Sequence, residues 1–246
     1  MKPYEAVNFI DAHTHILPGI DDGAENGDES RLMLAALAEQ GVTTVALTPH
    51  YLHYKEPVAD FIARRGEALR LLAPMADEAG VSIIPASEVY ITEDLLNEPN
   101  IRDLCFQSTR LLLTEAPGGC PFTGRDIALY ERIALNYGVT PILAHIERYP
   151  RLLNSEELLS ELMEIGCLTQ VNLSSFTEGG GSVRKRLLRL MSGGYVSFIG
   201  TDCHRMSFRP PEYKKHMDVV VKKLGAAFME GVQRNMFELL NLGRRH

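Results

Sequence analysis

The stretch Gly41–His50, GVTTVALTPH, holds the plan of the chain. A helical pattern stops at Gly41, an apolar β-rich run follows from Thr43 to Thr48, and a histidine stands just beyond it. Glycine suits that junction because the residue after a helix often turns left-handed, which costs a side chain with a Cβ but not glycine. The same unit recurs at Gly80-Val81 into Ser82–Glu88, Gly138-Val139 into Thr140–His145, Gly166-Cys167 into Leu168–Leu173, and Gly194-Tyr195 into Val196–Asp202. Phe9–His15 and Arg110–Glu115 also read as strands. Their apolar content is nearly continuous, as expected of strands buried on both faces.

Amphipathic helical patterns fill the spaces between these runs. Glu29–Gln40 has Leu32, Ala35, Ala36 and Leu37 as its expected inner face and Asp28 as its expected N-cap. Further helices are expected over Val58–Ala79, Arg125–Tyr137, Ser155–Ile165, Val183–Met191 and in two segments of Pro211–Leu242. Seven strands alternating with helices imply right-handed crossovers and an α/β fold with a parallel sheet. No glycine-rich phosphate loop follows the first strand, and polar residues end many different strands. Both points favour a closed (β/α) barrel with its chemistry on the C-terminal rim. Residues 1–246 contain no low-complexity linker, so one domain is expected.

The 45% hydrophobic content is enough for one sizeable core, and the net charge of −7 repels polyanions, which argues against nucleic acid as a partner. Met1–Ile10 has no basic segment leading into an apolar run, and charges interrupt the later apolar stretches. The expectation is therefore a cytoplasmic protein with no membrane insertion. Cys105, Cys120, Cys167 and Cys203 form no C-x-x-C pair and are expected to stay reduced. Cys203 to Arg209 has the C-x5-R spacing of thiol phosphatases, but the intervening loop has no glycine to wrap a phosphate. That spacing reads as coincidence.

The strand ends carry His13 and His15, His50, Glu88, Glu115, His145, and Asp202 with His204, while Asp21 and Asp22 closely follow the first strand. In a strand, residues i and i+2 project to one side, so His13-x-His15 can face a single point, as can Asp202-x-His204. Any one of these residues alone is usually a solvated or hydrogen-bonded side chain. Polar ligand types at the ends of six of seven apolar runs are what a purely structural barrel does not need. Mixed imidazole and carboxylate donors suit zinc, iron or manganese, and nine candidates imply two or three ions. His53, His216 and His246 lack that placement and are read as ordinary histidines.

His13-Thr-His15-Ile-Leu-Pro-Gly-Ile-Asp-Asp22-Gly-Ala, Thr48-Pro-His50-Tyr, Ser87-Glu88-Val, Ala144-His145-Ile-Glu-Arg148-Tyr and Gly200-Thr-Asp202-Cys-His204 resemble a known family. It comprises the manganese-dependent protein-tyrosine phosphatases of bacterial capsule and exopolysaccharide systems, within the polymerase and histidinol phosphatase (PHP) superfamily. The likeness runs in order through nearly the whole chain. It implies a distorted seven-stranded barrel of the PHP type with a trinuclear centre, most naturally of manganese, with iron or zinc as rivals. By resemblance, His13, His15, Glu88 and Asp202 hold one ion, Glu88 with Glu115 and His145 a second, and Asp22, His50 and His204 a third. Asp22 is chosen over Asp21 because it directly precedes the glycine. Arg148 and Arg209 match the family's phosphate-binding arginines, with Arg205 a rival for the second.

The implied reaction is hydrolysis of phosphotyrosine by a metal-bridged hydroxide, without a phosphoenzyme. The implied substrate is the tail of an autophosphorylated bacterial tyrosine kinase controlling polysaccharide synthesis. Tyr51, Tyr54 and Tyr90 are candidates for lining the mouth against the substrate ring. A histidinol-phosphatase-like phosphoesterase and a non-catalytic, metal-bound regulatory module are the competing readings. A homo-oligomer is compatible with the resemblance, with the C-terminal helix available for packing or assembly.

Overall fold

The computed structural model describes residues 9–118 and 121–243; Cys120, His246 and most of the Met1–Ile10 stretch lie outside them. The order is β1 (Phe9–Thr14), α1 (Gly27–Glu39), β2 (Val42–Leu47), β3 (His50–Tyr51), α2 (Val58–Ala79), β4 (Ser82–Pro85) and β5 (Glu88–Tyr90). It continues through β6 (Leu111–Glu115), α3 (Gly124–Tyr137), β7 (Thr140–Leu143), α4 (Pro150–Leu153), α5 (Glu156–Glu164) and β8 (Leu168–Asn172). The last elements are α6 (Gly180–Ser192), β9 (Phe198–Gly200), α7 (Tyr213–Leu224) and α8 (Ala226–Leu239). The five glycines at the helix-to-strand junctions, Gly41, Gly80, Gly138, Gly166 and Gly194, all have positive φ. At Gly80 this lets the chain leave α2 while its N–H still caps the helix through Ala76 and Asp77 carbonyls.

All paired strands run parallel. They form a three-stranded sheet, β1-β2-β4, and a six-stranded sheet, β3-β5-β6-β7-β8-β9, which curls into a half-barrel. Seven continuous strands were expected, and two of them are interrupted. The run from Ser82 to Glu88 breaks after Pro85, where the Arg65 guanidinium of α2 takes the Ala86 carbonyl and the Ser87 hydroxyl, each at 2.8 Å. The run through Thr48 breaks at Pro49, which has no N–H to give a ladder. Hydrogen bonds cross both breaks, from Ala86 N to Leu47 O at 2.9 Å and from Glu88 N to Pro49 O at 3.0 Å. At the other edge β1 meets the segment after β9: Asp202 N donates to His13 O at 2.8 Å and His15 N to Cys203 O at 2.9 Å.

The phase of α1 differs from the expectation. Its buried residues are Ser30, Met33, Leu34 and Leu37, spaced i, i+3, i+4 and i+7, while Leu32 is 57% exposed. Ser30 tolerates burial because its hydroxyl donates to the Ile16 carbonyl at 2.7 Å. The cap is Asn26 rather than Asp28, with its side chain accepting from Glu29 N. The helix therefore begins earlier, and its inner stripe turns with it. α4, a single turn with Pro150 in its first position, was not foreseen.

Tyr51, Phe61, Phe106, Tyr130, Phe176, Phe198 and Tyr213 are the bulkiest fully buried members of one continuous apolar cluster. The expected mouth position of Tyr51 is thereby corrected: its ring is fully buried against Phe61, and only its hydroxyl reaches a polar partner, the Glu56 carbonyl. Cys105, Cys167 and Cys203 are buried and unpaired. No helix among the described residues is long and apolar enough to cross a membrane.

The junction of first and last strands depends on Gly200. A Cβ there would lie 2.6 Å from His13 Cβ and 2.8 Å from His13 N, and backbone cannot yield as a flexible side chain can. Gly200→Ala is expected to destabilise the protein by about 1–3 kcal/mol through overpacking. Gly66→Ala, where a Cβ on α2 meets nothing within 4 Å, is expected to be neutral or stabilising. Thermal denaturation of the two variants beside the parent chain checks this, and equal melting temperatures for all three would refute it.

Candidate metal centre

β1 delivers His13 and His15 to one side at the C-terminal rim, with Nε2 atoms 3.1 Å apart. Between them and the opposite wall lies Glu88, the first residue of β5. Its Oε2 is 3.2 Å from His13 Nε2, 3.3 Å from His15 Nε2 and 3.1 Å from His50 Nδ1, and its Oε1 is 2.8 Å from His145 Nε2. His145 Nε2 also lies 3.5 Å from Glu115 Oε1, at the end of β6. Asp202 Oδ1 lies 3.5 Å from His13 Nε2, 3.4 Å from His15 Nε2 and 3.6 Å from His204 Nδ1. On the solvent side Asp22 Oδ1 reaches His50 Nε2 at 3.6 Å and His204 Nε2 at 3.7 Å. The structure thus brings together every candidate ligand read from the strand ends. His13, His15, Glu88, His145, Asp202 and His204 are buried, whereas the Asp22 side chain is 65% exposed.

The donor chemistry fits divalent cations. His15 Nδ1 faces Asp21 Oδ2 at 2.7 Å and His13 Nδ1 faces Gln170 Oε1 at 3.3 Å. A ring nitrogen facing an oxygen acceptor carries the proton, so both Nε2 lone pairs point at the shared centre. Two lone pairs 3.1 Å apart, beside carboxylate oxygens, call for positive charge between them. Burial opposes a charged His15, but the Asp21 carboxylate and hydrogen bonds to Asp202, Asp21 and Glu88 outweigh it and raise its pKa well above the ordinary value. Burial likewise pushes Glu88 upward, yet the neighbouring imidazoles, His13 first, hold it well below the usual carboxylate range. The same field that binds protons there attracts metal ions. Asp21, set aside as a ligand in the sequence reading, is the outer partner of His15, and its Oδ2 also accepts from His50 N at 2.9 Å.

Asp202 also faces outward. Its Oδ2 pairs with Arg148, lies 3.2 Å from Arg209 Nη1 and accepts from Asn172 Nδ2 at 2.8 Å. Arg205 turns away, toward the Asp22 carbonyl and the Glu25 carboxylate. Of the two rivals, therefore, Arg209 is the one beside the centre. A cavity of about 390 Å³ opens here, lined by Arg148, Asn172, Asp202, Phe208 and Arg209 among others. Phe208 is exposed, with the Arg209 guanidinium 5.2 Å from its ring centroid. His145, Asp202 and Arg209 all have positive φ, at 36°, 55° and 50°. Such strain in residues with a Cβ typically costs about 1–3 kcal/mol each and concentrates where side chains must be aimed.

Other residues fall outside the cluster. His53 Nε2 pairs with Thr92 Oγ1 at 2.7 Å, and His216 Nδ1 with Thr177 Oγ1 at 2.7 Å. Cys203 is fully buried, and burial, with Asp11 nearby, raises its thiol pKa well above the usual range, so the C-x5-R spacing presents no thiolate nucleophile. Tyr54 and Tyr90 pack edge to face with centroids 6.4 Å apart. The sequence reading missed Gln170, Asn172 and Phe208. The first two carry a detectable signal, alternate polar residues inside an apolar run, but amides are not metal donors of first choice.

Comparison with known proteins places the chain in a family. The sequence model of the family described as "Capsular polysaccharide synthesis, CpsB/CapC" matches residues 9–241. Tyrosine-protein phosphatase CpsB of Streptococcus pneumoniae is 29% identical over 227 residues, covering 89% of this chain and 92% of its own. Tyrosine-protein phosphatase YwqE of Bacillus subtilis (strain 168) is 28% identical over 223 residues, covering 89% of this chain and 86% of its own. A chain from the crystal structures of YwqE from Bacillus subtilis and CpsB from Streptococcus pneumoniae, described as unique metal-dependent tyrosine phosphatases, superposes with a TM-score of 0.77. It is 25% identical, with 95% of each chain covered.

Chelator treatment is expected to lower the melting temperature, and manganese added back at 100 times its Kd to restore about 2.7 kcal/mol. The carboxylates raise the pKa of His13 and His15, so protons compete with metal at and above the ordinary imidazole value. The manganese-induced shift should therefore grow between about pH 6 and pH 8. Scanning fluorimetry across that range measures it, and no shift with manganese, iron or zinc would mean a purely structural cluster.

Proposed function

The chain belongs to the CpsB/CapC capsular polysaccharide synthesis family, and on that premise we propose that it is a metal-dependent protein-tyrosine phosphatase. The observation that carries this reading is the placement of Arg148 and Arg209 on one oxygen of Asp202 while imidazoles gather at the other. A phosphoryl group entering the 390 Å³ cavity meets both guanidinium groups at the edge of the candidate metal cluster. The relatives' names, tyrosine-protein phosphatase CpsB and YwqE, support the same activity.

In finer detail, we assign three divalent ions, manganese before iron or zinc. His13, His15, Glu88 and Asp202 hold one, Glu88, Glu115 and His145 a second, and Asp22, His50 and His204 a third. The two sheets are read as one distorted seven-stranded PHP-type barrel forming a single domain. The β1–β9 hydrogen bonds and those spanning the strand breaks support that reading. The substrate is assigned as the phosphotyrosine tail of a bacterial tyrosine kinase in a capsule system, which places the reaction in the cytoplasm.

When bound, the ions supply Lewis acidity and an activated water near neutral pH. The chain's own groups do the rest. Arg148 and Arg209 present planar donors that match phosphoryl oxygens better than an ammonium does, and their charge is held in place by Asp202. Asp21 keeps the proton of His15 on Nδ1 and away from the cluster. Phe208 and the Tyr54–Tyr90 pair offer apolar faces near the rim for an aryl group. Phenolate, with a pKa of about 10, departs with little acid assistance, which suits a site where the carboxylates are committed to cations.

Manganese-loaded protein is expected to hydrolyse a phosphotyrosine peptide and p-nitrophenyl phosphate in preference to histidinol phosphate. Arg148→Ala should lose about 100-fold in kcat/KM, the scale of removing one preorganised transition-state donor. His13→Ala should abolish activity, whereas Cys203→Ala should retain it. Preference for histidinol phosphate would transfer the chain to the sister phosphoesterases. No turnover with metal bound would make it a regulatory module.

A further inference from the structure

β8 contributes no candidate ligand to the rim and carries Gln170 and Asn172 instead, two apart and thus on one face. Both are buried, Gln170 completely. Gln170 Oε1 accepts from the His145 backbone N–H at 2.7 Å, so the amide oxygen must point that way. Its Nε2 then faces Asn172 Oδ1 at 2.9 Å, and Asn172 Nδ2 donates to Asp202 Oδ2 at 2.8 Å. An ionised carboxylate only accepts, so both ends dictate the same polarity along the chain of amides. The remaining neighbour of Gln170 Oε1 is His13 Nδ1 at 3.3 Å. Glu147 Oε1 anchors the far end by accepting from Asn172 N at 3.0 Å and Ser175 Oγ at 3.0 Å.

We infer that Gln170 and Asn172 form an amide relay that fixes the tautomer of His13 and the orientation of Asp202, acting as positioning residues for the metal centre. Gln170 can only accept from His13, so the imidazole proton stays on Nδ1 and the Nε2 lone pair faces the cations. Asn172 occupies part of Asp202 Oδ2, which leaves Oδ1 directed at the imidazoles. The inference rests on the metallophosphatase reading above. A buried glutamine that merely satisfied a strand would change stability when replaced, but would not select a tautomer.

The test uses full-length protein. Manganese affinity is measured by chelator competition for the parent chain, Gln170→Leu and Gln170→Glu, beside melting temperature. The tautomer of His13 is read from long-range ¹H–¹⁵N correlations of zinc-loaded protein. Gln170→Leu is expected to bind manganese about 10–100-fold more weakly, the usual scale for an outer partner of a ligand. Gln170→Glu keeps the acceptor for His13 and His145 but loses the Nε2 donor to Asn172, so its affinity is expected to lie between those of Gln170→Leu and the parent. The parent spectrum should show the His13 proton on Nδ1. Unchanged affinity in Gln170→Leu, equal damage in Gln170→Glu, or a parent proton on Nε2 would each overturn the relay. If Gln170→Leu does not fold, the parent spectrum and Gln170→Glu decide. Parent protein that binds manganese but hydrolyses no phosphotyrosine would overturn the phosphatase reading and leave the relay standing on its affinity data. Parent protein that binds no manganese overturns both.

Discussion

Everything at the rim of this fold is organised around a carboxylate that water cannot reach. Glu88 is buried, with both oxygens surrounded by imidazole nitrogens from the ends of β1 and β7 and from His50 at the β2–β3 junction. An isolated carboxylate in such a place would be costly enough to protonate or to unfold its surroundings. Compensation requires cationic charge, and histidines provide sites where that charge can be a proton or a metal. The elements that aim Glu88 are therefore part of the chemistry. The buried Arg65 of α2 holds the strand break immediately before it, using carbonyl and hydroxyl acceptors rather than a carboxylate partner. A salt-bridged arginine at that position would bring a further negative charge close to the cluster.

Asp202 divides its two oxygens between two tasks. One belongs to the imidazole cluster and the other to Arg148, Arg209 and Asn172. Charge drawn to one side of the carboxylate weakens its hold on the other, so loading of cations and freedom of the guanidinium groups are electrostatically linked. The left-handed backbone at Asp202 and Arg209 is the local cost of aiming both residues from one short turn.

Much of this architecture was legible in the sequence, because period and punctuation are local properties. The glycine junctions marked strand starts, and α2 has the bounds its pattern suggested. The ligand types at strand ends were visible because imidazoles and carboxylates are out of place in apolar runs. What escaped depended on contacts between distant segments. The phase of α1 was misread because Ser30, polar in sequence, is buried by a bond to the Ile16 carbonyl across the chain. The strand breaks depend on Arg65, and Tyr51 was read as exposed because nothing local reveals its packing against Phe61. Asp21 and Gln170 were passed over for the same reason. Their importance lies in the atoms they face, and that is known only once the ends of β1, β3 and β8 are brought to one rim.

The seam between β1 and the segment after β9 has a further consequence, for how the molecule is made. His13 lies near the start of the chain and His204 beyond four-fifths of its length, and the two are joined only when Thr14 pairs with Cys203. A ribosome that has released the first strand has therefore produced two of the nine candidate ligands, while Asp202 and His204 are still unsynthesised. Contacts of such long sequence separation form late, after the loops between them have given up their entropy. On the proposed reading, a complete set of candidate ligands reports that synthesis has run through to the last strand, and a product truncated before β9 would lack Asp202, His204 and the seam that holds them against His13 and His15.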